Sequence, residues 1–175
     1  MISVEKALQI ILNSTQDFGV EEIPFLKSSG RTLKESIFAD RDFPPFNRVT
    51  MDGIAVDFIS FQNGQRSFLI EGIQAAGSEQ ITLKNTENCI EVMTGAVLPK
   101  NTSAVVRYED LEINNGIAAI LIDEIKDLQN IHQQGKDEQK GAVLITKNTQ
   151  ISPAEMGVFA TVGKSFVKVA KQPKV

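Results

Sequence analysis

Asp42-Phe43-Pro44-Pro45-Phe46 is the stretch on which the fold reading turns. Two adjacent prolines fix φ and hold the residues before them extended, so this is a stiff connector between domains. Working outward, residues 1–42 precede it with a helical pattern, whereas the residues beyond it are short strand-like runs. These runs are Ser67–Ile73, Cys89–Met93, Ala104–Tyr108, Leu111–Ile113, Ile117–Ile122 and Val143–Thr146. Asn115-Gly116 separates two of them and signals a type I′ hairpin, because both turn positions need φ > 0. The polar stretch from Gln129 to Gly141 reads as a long surface loop and a second boundary. The expected domains are therefore 1–42 with 131–175, one discontinuous domain, and 43–130, an inserted one.

Val4, Ala7, Leu8, Ile11 and Leu12 recur at helical period behind Ser3 as N-cap, with Gly19 marking the exit. A short strand is expected around Ile23–Leu26 and a helical turn around Arg31–Ser36. Ser152, Pro153 and Glu155 make a capping box for a second helix that Gly163 stops. Phe166 to Val175 reads as a strand. Gly157 to Ser165 superficially resembles a phosphate-binding loop, but it has five residues between its glycines where that motif needs four.

The chain has 175 residues, one cysteine, one histidine, and 22 acidic against 18 basic residues. Cys89 alone forbids an internal disulfide and reads as a buried core thiol, and His132 alone forbids a four-ligand His/Cys zinc cluster. The acidic balance, with no run of Lys or Arg, argues against nucleic acid as a partner. No apolar run approaches the roughly 20 residues of a membrane span, and no signal peptide is visible, so the cytoplasm is the expected compartment.

Asp52, in Met51-Asp52-Gly53, is either a turn aspartate before a permissive glycine or a functional carboxylate. Thr94, in Met93-Thr94-Gly95-Ala96, either closes a turn or donates to a phosphate. His132, Lys136 and Asp137 stand in the polar loop.

Together the pieces resemble the N-terminal region of the MoeA family, which includes the E domain of gephyrin. The resemblance runs through Gly30-Arg31-Thr32-Leu33, Pro45-Phe46, Met51-Asp52-Gly53-Ile54-Ala55-Val56 and Ala76-Gly77. It continues with Met93-Thr94-Gly95-Ala96-Val97-Leu98-Pro99, Ala104-Val105-Val106, Glu109 and Asn130-Ile131. Gly135-Lys136-Asp137, Gly141 and Ser152-Pro153-Ala154-Glu155-Met156-Gly157 complete it.

It implies a mainly β fold with a few helices (α+β), a discontinuous domain of bifurcated sheets with an inserted small β-barrel. It also implies an enzyme of molybdenum cofactor synthesis that inserts molybdate into adenylylated molybdopterin with Mg²⁺ and releases AMP. Asp52, Thr94 and Asp137 match catalytic positions, Asp52 also as the Mg²⁺ ligand, and Gly95, Lys136 and His132 match substrate-binding ones. Homodimers are implied, as are contacts with other proteins of cofactor synthesis.

Two departures stand out. Asn47-Arg48-Val49-Thr50 replaces Asp-Asn-Ser-Ala, and His132-Gln133-Gln134-Gly135-Lys136-Asp137 replaces an arginine-rich loop ending in Gly-Glu-Asp. Lost arginines remove bidentate phosphate donors, so the alternative is a non-catalytic dimerisation or scaffold module of the same family. The family also continues into a pterin-binding domain, so the chain is expected to be the N-terminal piece of a longer protein, inactive alone.

Overall fold

The computed structural model describes residues 2–173. Its elements in chain order are α1 (Val4–Asn13), β1 (Val20–Pro24), β2 (Ile37–Phe38), β3 (Arg48–Val49), β4 (Gly53–Val56), α2 (Phe58–Gln62) and β5 (Ser67–Gln74). Then come β6 (Asn88–Val92), β7 (Ala104–Arg107), β8 (Leu111–Asn114), β9 (Ile117–Ile120), β10 (Ile131–His132), β11 (Val143–Ile145), α3 (Pro153–Thr161) and β12 (Phe166–Ala170). The fold is mostly sheet with few helices. No helix among the described residues is long and apolar enough to cross a membrane.

The chain divides into two units, one up to Asp40 and from Gly141 onward, the other Arg41–Lys140. Residues 131–140, grouped with the discontinuous domain by the sequence reading, thus fall in the inserted unit. The cause is pairing: β10 lies antiparallel to β3, with Ile131 opposite Val49 and His132 opposite Arg48. The Asp137 N–H also donates to the Phe43 carbonyl at 2.9 Å.

The inserted unit is built on a six-stranded sheet in the order β7-β4-β6-β5-β9-β8. Laid flat, its edge strands would stand roughly 24 Å apart, at about 4.8 Å per strand. Yet β7 and β8 are joined by Tyr108–Asp110 alone, a link that reaches at most about 14 Å. The sheet must curl, and it forms a half-barrel. Its inner face packs Ile54, Val56, Phe68, Cys89, Val106 and Ala118. The opposite face is also covered, where Ala55, Ile90, Val92 and Val105 pack with Val49, Leu83 and Ile131. All of β4 is consequently buried, and it lacks the alternation that would mark a half-exposed strand. Asn115 and Gly116, with φ of 51° and 78°, turn the β8–β9 hairpin.

In the other unit β1 pairs with β12 and β2 with β11, both antiparallel. Leu33, Ile37, Ile145, Ile151, Phe159, Val167 and Val169 form its core. The Ser152–Glu155 capping box starts α3, and Gly163, with φ 69°, follows its end. At four places the local structure differs from the sequence pattern. Residues 31–36 are not a helical turn, because Thr32 bridges Gln150 and Leu33 bridges Val169, which holds them extended. The strand expected over Ile23–Leu26 lies at Val20–Pro24 and gives way to a 3₁₀ turn at Phe25–Lys27. Finally, α1 ends at Asn13, capped by the Ser14 N–H on the Ile10 and Ile11 carbonyls and the Thr15 N–H on the Leu12 carbonyl, so Gly19 belongs to the approach to β1. The strand read through to Val175 ends at Ala170, and Lys174 and Val175 lie outside the described residues.

Candidate functional site

The turn between β3 and β4 carries Asp52, and the turn after β6 carries Thr94. Both the backbone N–H and the hydroxyl of Thr94 donate to Asp52 Oδ1, at 2.6 and 2.8 Å. These two bonds, the backbone one foremost, hold the Asp52 carboxyl below the usual carboxylate range. The other oxygen, Oδ2, has no protein partner among the described residues. Behind the carboxylate, the Tyr108 N–H donates to the Asp52 carbonyl at 3.1 Å and fixes the backbone that presents it.

Strand β3, only two residues long, joins this turn to the polar loop. On one side the Gly95 N–H donates to the Val49 carbonyl and the Val49 N–H to the Ala96 carbonyl, each at 2.9 Å. On the other side β3 pairs with β10, and the Thr50 N–H reaches the Asn130 carbonyl at 3.0 Å. Val49 is fully buried beneath. The polar loop folds back on the proline connector, and Asp42 clasps it by accepting from the Lys140 N–H and from Gln134 Nε2, each at 2.9 Å.

The structure therefore brings Asp52, Thr94 and Gly95 together. It pairs His132 with Asp137, Nε2 to Oδ1 at 2.8 Å, in a separate contact. Lys136 is exposed on the loop and touches neither group. A cavity of about 280 Å³ is lined by Arg48, Val49, Thr50, Thr94 and Gly95. Arg48 is exposed there and makes no ion pair among the described residues. In the sequence Arg48 stands out only as a departure from the family pattern, with no role attached. Its place opposite His132 depends on β3 pairing, which a two-residue strand does not announce.

Among the described residues no three His, Cys, Asp or Glu side chains group to hold a metal. The site offers one ionised carboxylate oxygen, Asp52 Oδ2. That donor set suits a hard cation which takes its remaining ligands from water and phosphate oxygens.

The role of Thr94 can be titrated. In Thr94→Val the backbone bond to Asp52 survives and the hydroxyl bond is lost. The Asp52 midpoint, followed by carboxyl NMR, should rise part of the way to the ordinary value of about 3.9. A carboxylate depressed in the folded state stabilises it above the unfolded pKa and stops doing so as pH falls through the folded pKa. The variant should therefore begin acid unfolding at a slightly higher pH. An unchanged midpoint would show that the hydroxyl contributes nothing.

The description "MoeA N-terminal region (domain I and II)" matches residues 2–163. The chain belongs to the MoeA family. A molybdopterin molybdenumtransferase of Synechocystis is 35% identical over 176 residues, covering all of this chain and 45% of that protein. One of Staphylococcus aureus (strain Mu50) is 31% identical over 179 residues, covering 99% of this chain and 42% of its own length. Two crystal structures of the molybdopterin biosynthesis MoeA protein from Pyrococcus horikoshii superpose with TM-scores of 0.82 and 0.86, at 30% and 26% identity. They match 99% and 97% of this chain and 45% and 46% of their own chains. The chain thus spans less than half the length of these MoeA relatives.

Proposed function

We propose that this chain is the N-terminal part of an enzyme that inserts molybdate into adenylylated molybdopterin and releases AMP. The observation that carries the reading is the exposed, ionised Asp52, locked by Thr94 beside the Arg48-lined cavity. It stands in a chain whose relatives are named molybdopterin molybdenumtransferase. The substrate's charge is concentrated in its pyrophosphate. Arg48 offers a planar fork of donors to phosphate oxygens. Thr94 spends both its donors on Asp52 and so sets the direction of the free Oδ2. Mg²⁺, held at Oδ2 with water and phosphate oxygens, would offset the charge that builds on the leaving phosphate. Asp137 and His132 orient each other on the neighbouring loop, where they can meet the far end of a long substrate. Lys136 adds an exposed positive charge on the same loop. By resemblance to the family, the working form is a homodimer in which one subunit's N-terminal region completes the other's cleft.

A second reading, a dimerisation or scaffold module without catalysis, draws on one observation. Three polar side chains of the altered loop are already engaged: His132 and Asp137 by each other, and Gln134 by Asp42, while the Gln134 N–H is held by Asn47.

The deciding measurement uses the full-length protein with adenylylated molybdopterin, molybdate and Mg²⁺, and follows AMP by chromatography. The enzyme reading expects AMP and finished cofactor in equal amounts, and none from residues 1–175 alone. A folded full-length protein that releases no AMP would leave the scaffold reading standing.

A further inference from the structure

Tyr108 and Glu91 form a polar pair at one end of the half-barrel's central strands. Tyr108 follows β7, and its hydroxyl donates to Glu91 Oε1 on β6. In the sheet β4 lies between those two strands, so the side chains meet across β4, over about 10 Å or two strand spacings. Glu91 stands opposite Ile54, as does Val106, which puts it on the face that carries the inner core. Both residues are half-buried, and Glu91 makes no ion pair among the described residues.

Packing alone does not call for such a pair. An apolar couple of the same size would fill the place without taking a carboxylate partly out of water. What the pair supplies is position. The Tyr108 N–H donates to the Asp52 carbonyl at 3.1 Å, just ahead of β4. Glu91 stands three residues ahead of Thr94, on the strand that leads into the second turn.

One residue therefore grips both sides of the Asp52–Thr94 contact, the Asp52 backbone directly and the Thr94 turn through β6. Burial foremost, then the Glu91 bond and the charges of Glu91 and Asp52, push the phenol above its ordinary pKa, so it stays a donor. Tyr108 does not line the cavity beside Asp52, and its influence there passes through the two turns.

We propose that Tyr108 is a positioning residue: braced on Glu91, it sets the Asp52 carboxylate and the Thr94 donors at the spacing the transfer reaction uses. The reaction in this inference rests on the molybdenum-transfer reading, whereas the brace is measured without activity.

The test compares the native full-length protein with Tyr108→Phe, Glu91→Ala and Glu91→Gln. Phe keeps the ring and the backbone N–H but loses the hydroxyl, and Ala removes the same bond from the other side. Gln keeps an acceptor oxygen and loses only the charge. Hydrogen exchange of the Thr94 N–H reads the brace, by NMR on threonine- and isoleucine-labelled protein. It should quicken about fivefold to tenfold in Tyr108→Phe and Glu91→Ala, the effect of about one hydrogen bond. The Ile120 N–H, bonded to the Arg66 carbonyl at 2.8 Å on β9, should keep its rate, whereas a merely destabilised sheet would quicken both.

In synthesis assays kcat should fall about tenfold in the same two variants with KM nearly unchanged. Glu91→Gln should keep most of the native kcat and the native Thr94 exchange. Thr94 exchange at the native rate in Tyr108→Phe, or a rise matched at Ile120, overturns the proposal. So does native kcat in a variant whose Thr94 N–H exchanges faster, or a Glu91→Gln as impaired as Glu91→Ala. Either bond-breaking variant suffices should the other fail to fold. If the native full-length protein releases no AMP, the transfer reading falls, and the exchange measurement still decides the brace.

Discussion

Gly53→Ala is expected to unfold the half-barrel or leave it severely destabilised. A Cβ at Gly53 would stand 1.9 Å from the Val106 carbonyl oxygen and 2.8 Å from Arg107 Cα. Both are backbone atoms of β7, so no side chain can swing aside. Gly53 is also central, paired with Val92 of β6 and Arg107 of β7. Relief requires β4 and β7 to part, which breaks ladder bonds and exposes a strand buried on both faces. A clash of this kind belongs with the largest single-residue effects, about 3–5 kcal/mol, against a total of about 5–15 kcal/mol for a domain.

The readout is built in. Tyr108 is the chain's one tyrosine; its hydroxyl donates to Glu91 and its N–H to the Asp52 carbonyl. Tyrosine fluorescence in urea therefore reports the inserted unit. A midpoint within experimental error of the native one would show that β4 and β7 can separate at little cost.

The same residue shows what sequence can and cannot convey. Met51-Asp52-Gly53 reads as turn chemistry, because glycine after aspartate is common wherever a chain bends. The reason no other residue fits is the close approach of β7, more than fifty residues later, which local pattern does not carry. Elements made by short-range chemistry are legible: the capping box of α3, the Asn115-Gly116 hairpin and the β5, β6, β8 and β9 runs. Elements made by distant partners are not. Arg48–Val49 and Ile131–His132 become strands only by pairing with each other, and Thr32 and Leu33 are extended only because Gln150 and Val169 bridge them. The polar loop shows the same limit. Its composition marks it as exposed, but its attachment to the inserted unit follows from the Asp42 clasp and the β3–β10 pairing. The Asp52–Thr94 contact spans 42 residues; the resemblance to the family marks both residues as functional but does not convey that they bond. Arg48 entered the cavity lining through a strand that no periodicity marks.

Asp52→Ala in the full-length protein is expected to cut cofactor synthesis about a hundredfold or more while leaving the fold intact. Asp52 is exposed and supports no core, so its loss frees the Thr94 N–H and hydroxyl to bond water. The charge that the carboxylate would bring to a cation and a developing phosphate is lost with it. Charge stabilisation of this kind is worth several kcal/mol, and each 1.36 kcal/mol is a factor of ten in rate.

Asp52→Asn separates the two roles of the side chain. Its amide oxygen can still accept both Thr94 bonds, so the turn keeps its shape while the charge is gone. If the ionised oxygen is what matters, Asn should be nearly as inactive as Ala, and added Mg²⁺ should not restore either. If Asp52 only closes the turn, Asn should retain most of the activity and Ala should be the weaker of the two. Unchanged synthesis in both variants would remove Asp52 from the chemistry and favour the scaffold reading, because a module that only joins subunits has no use for an ionised carboxylate at this turn.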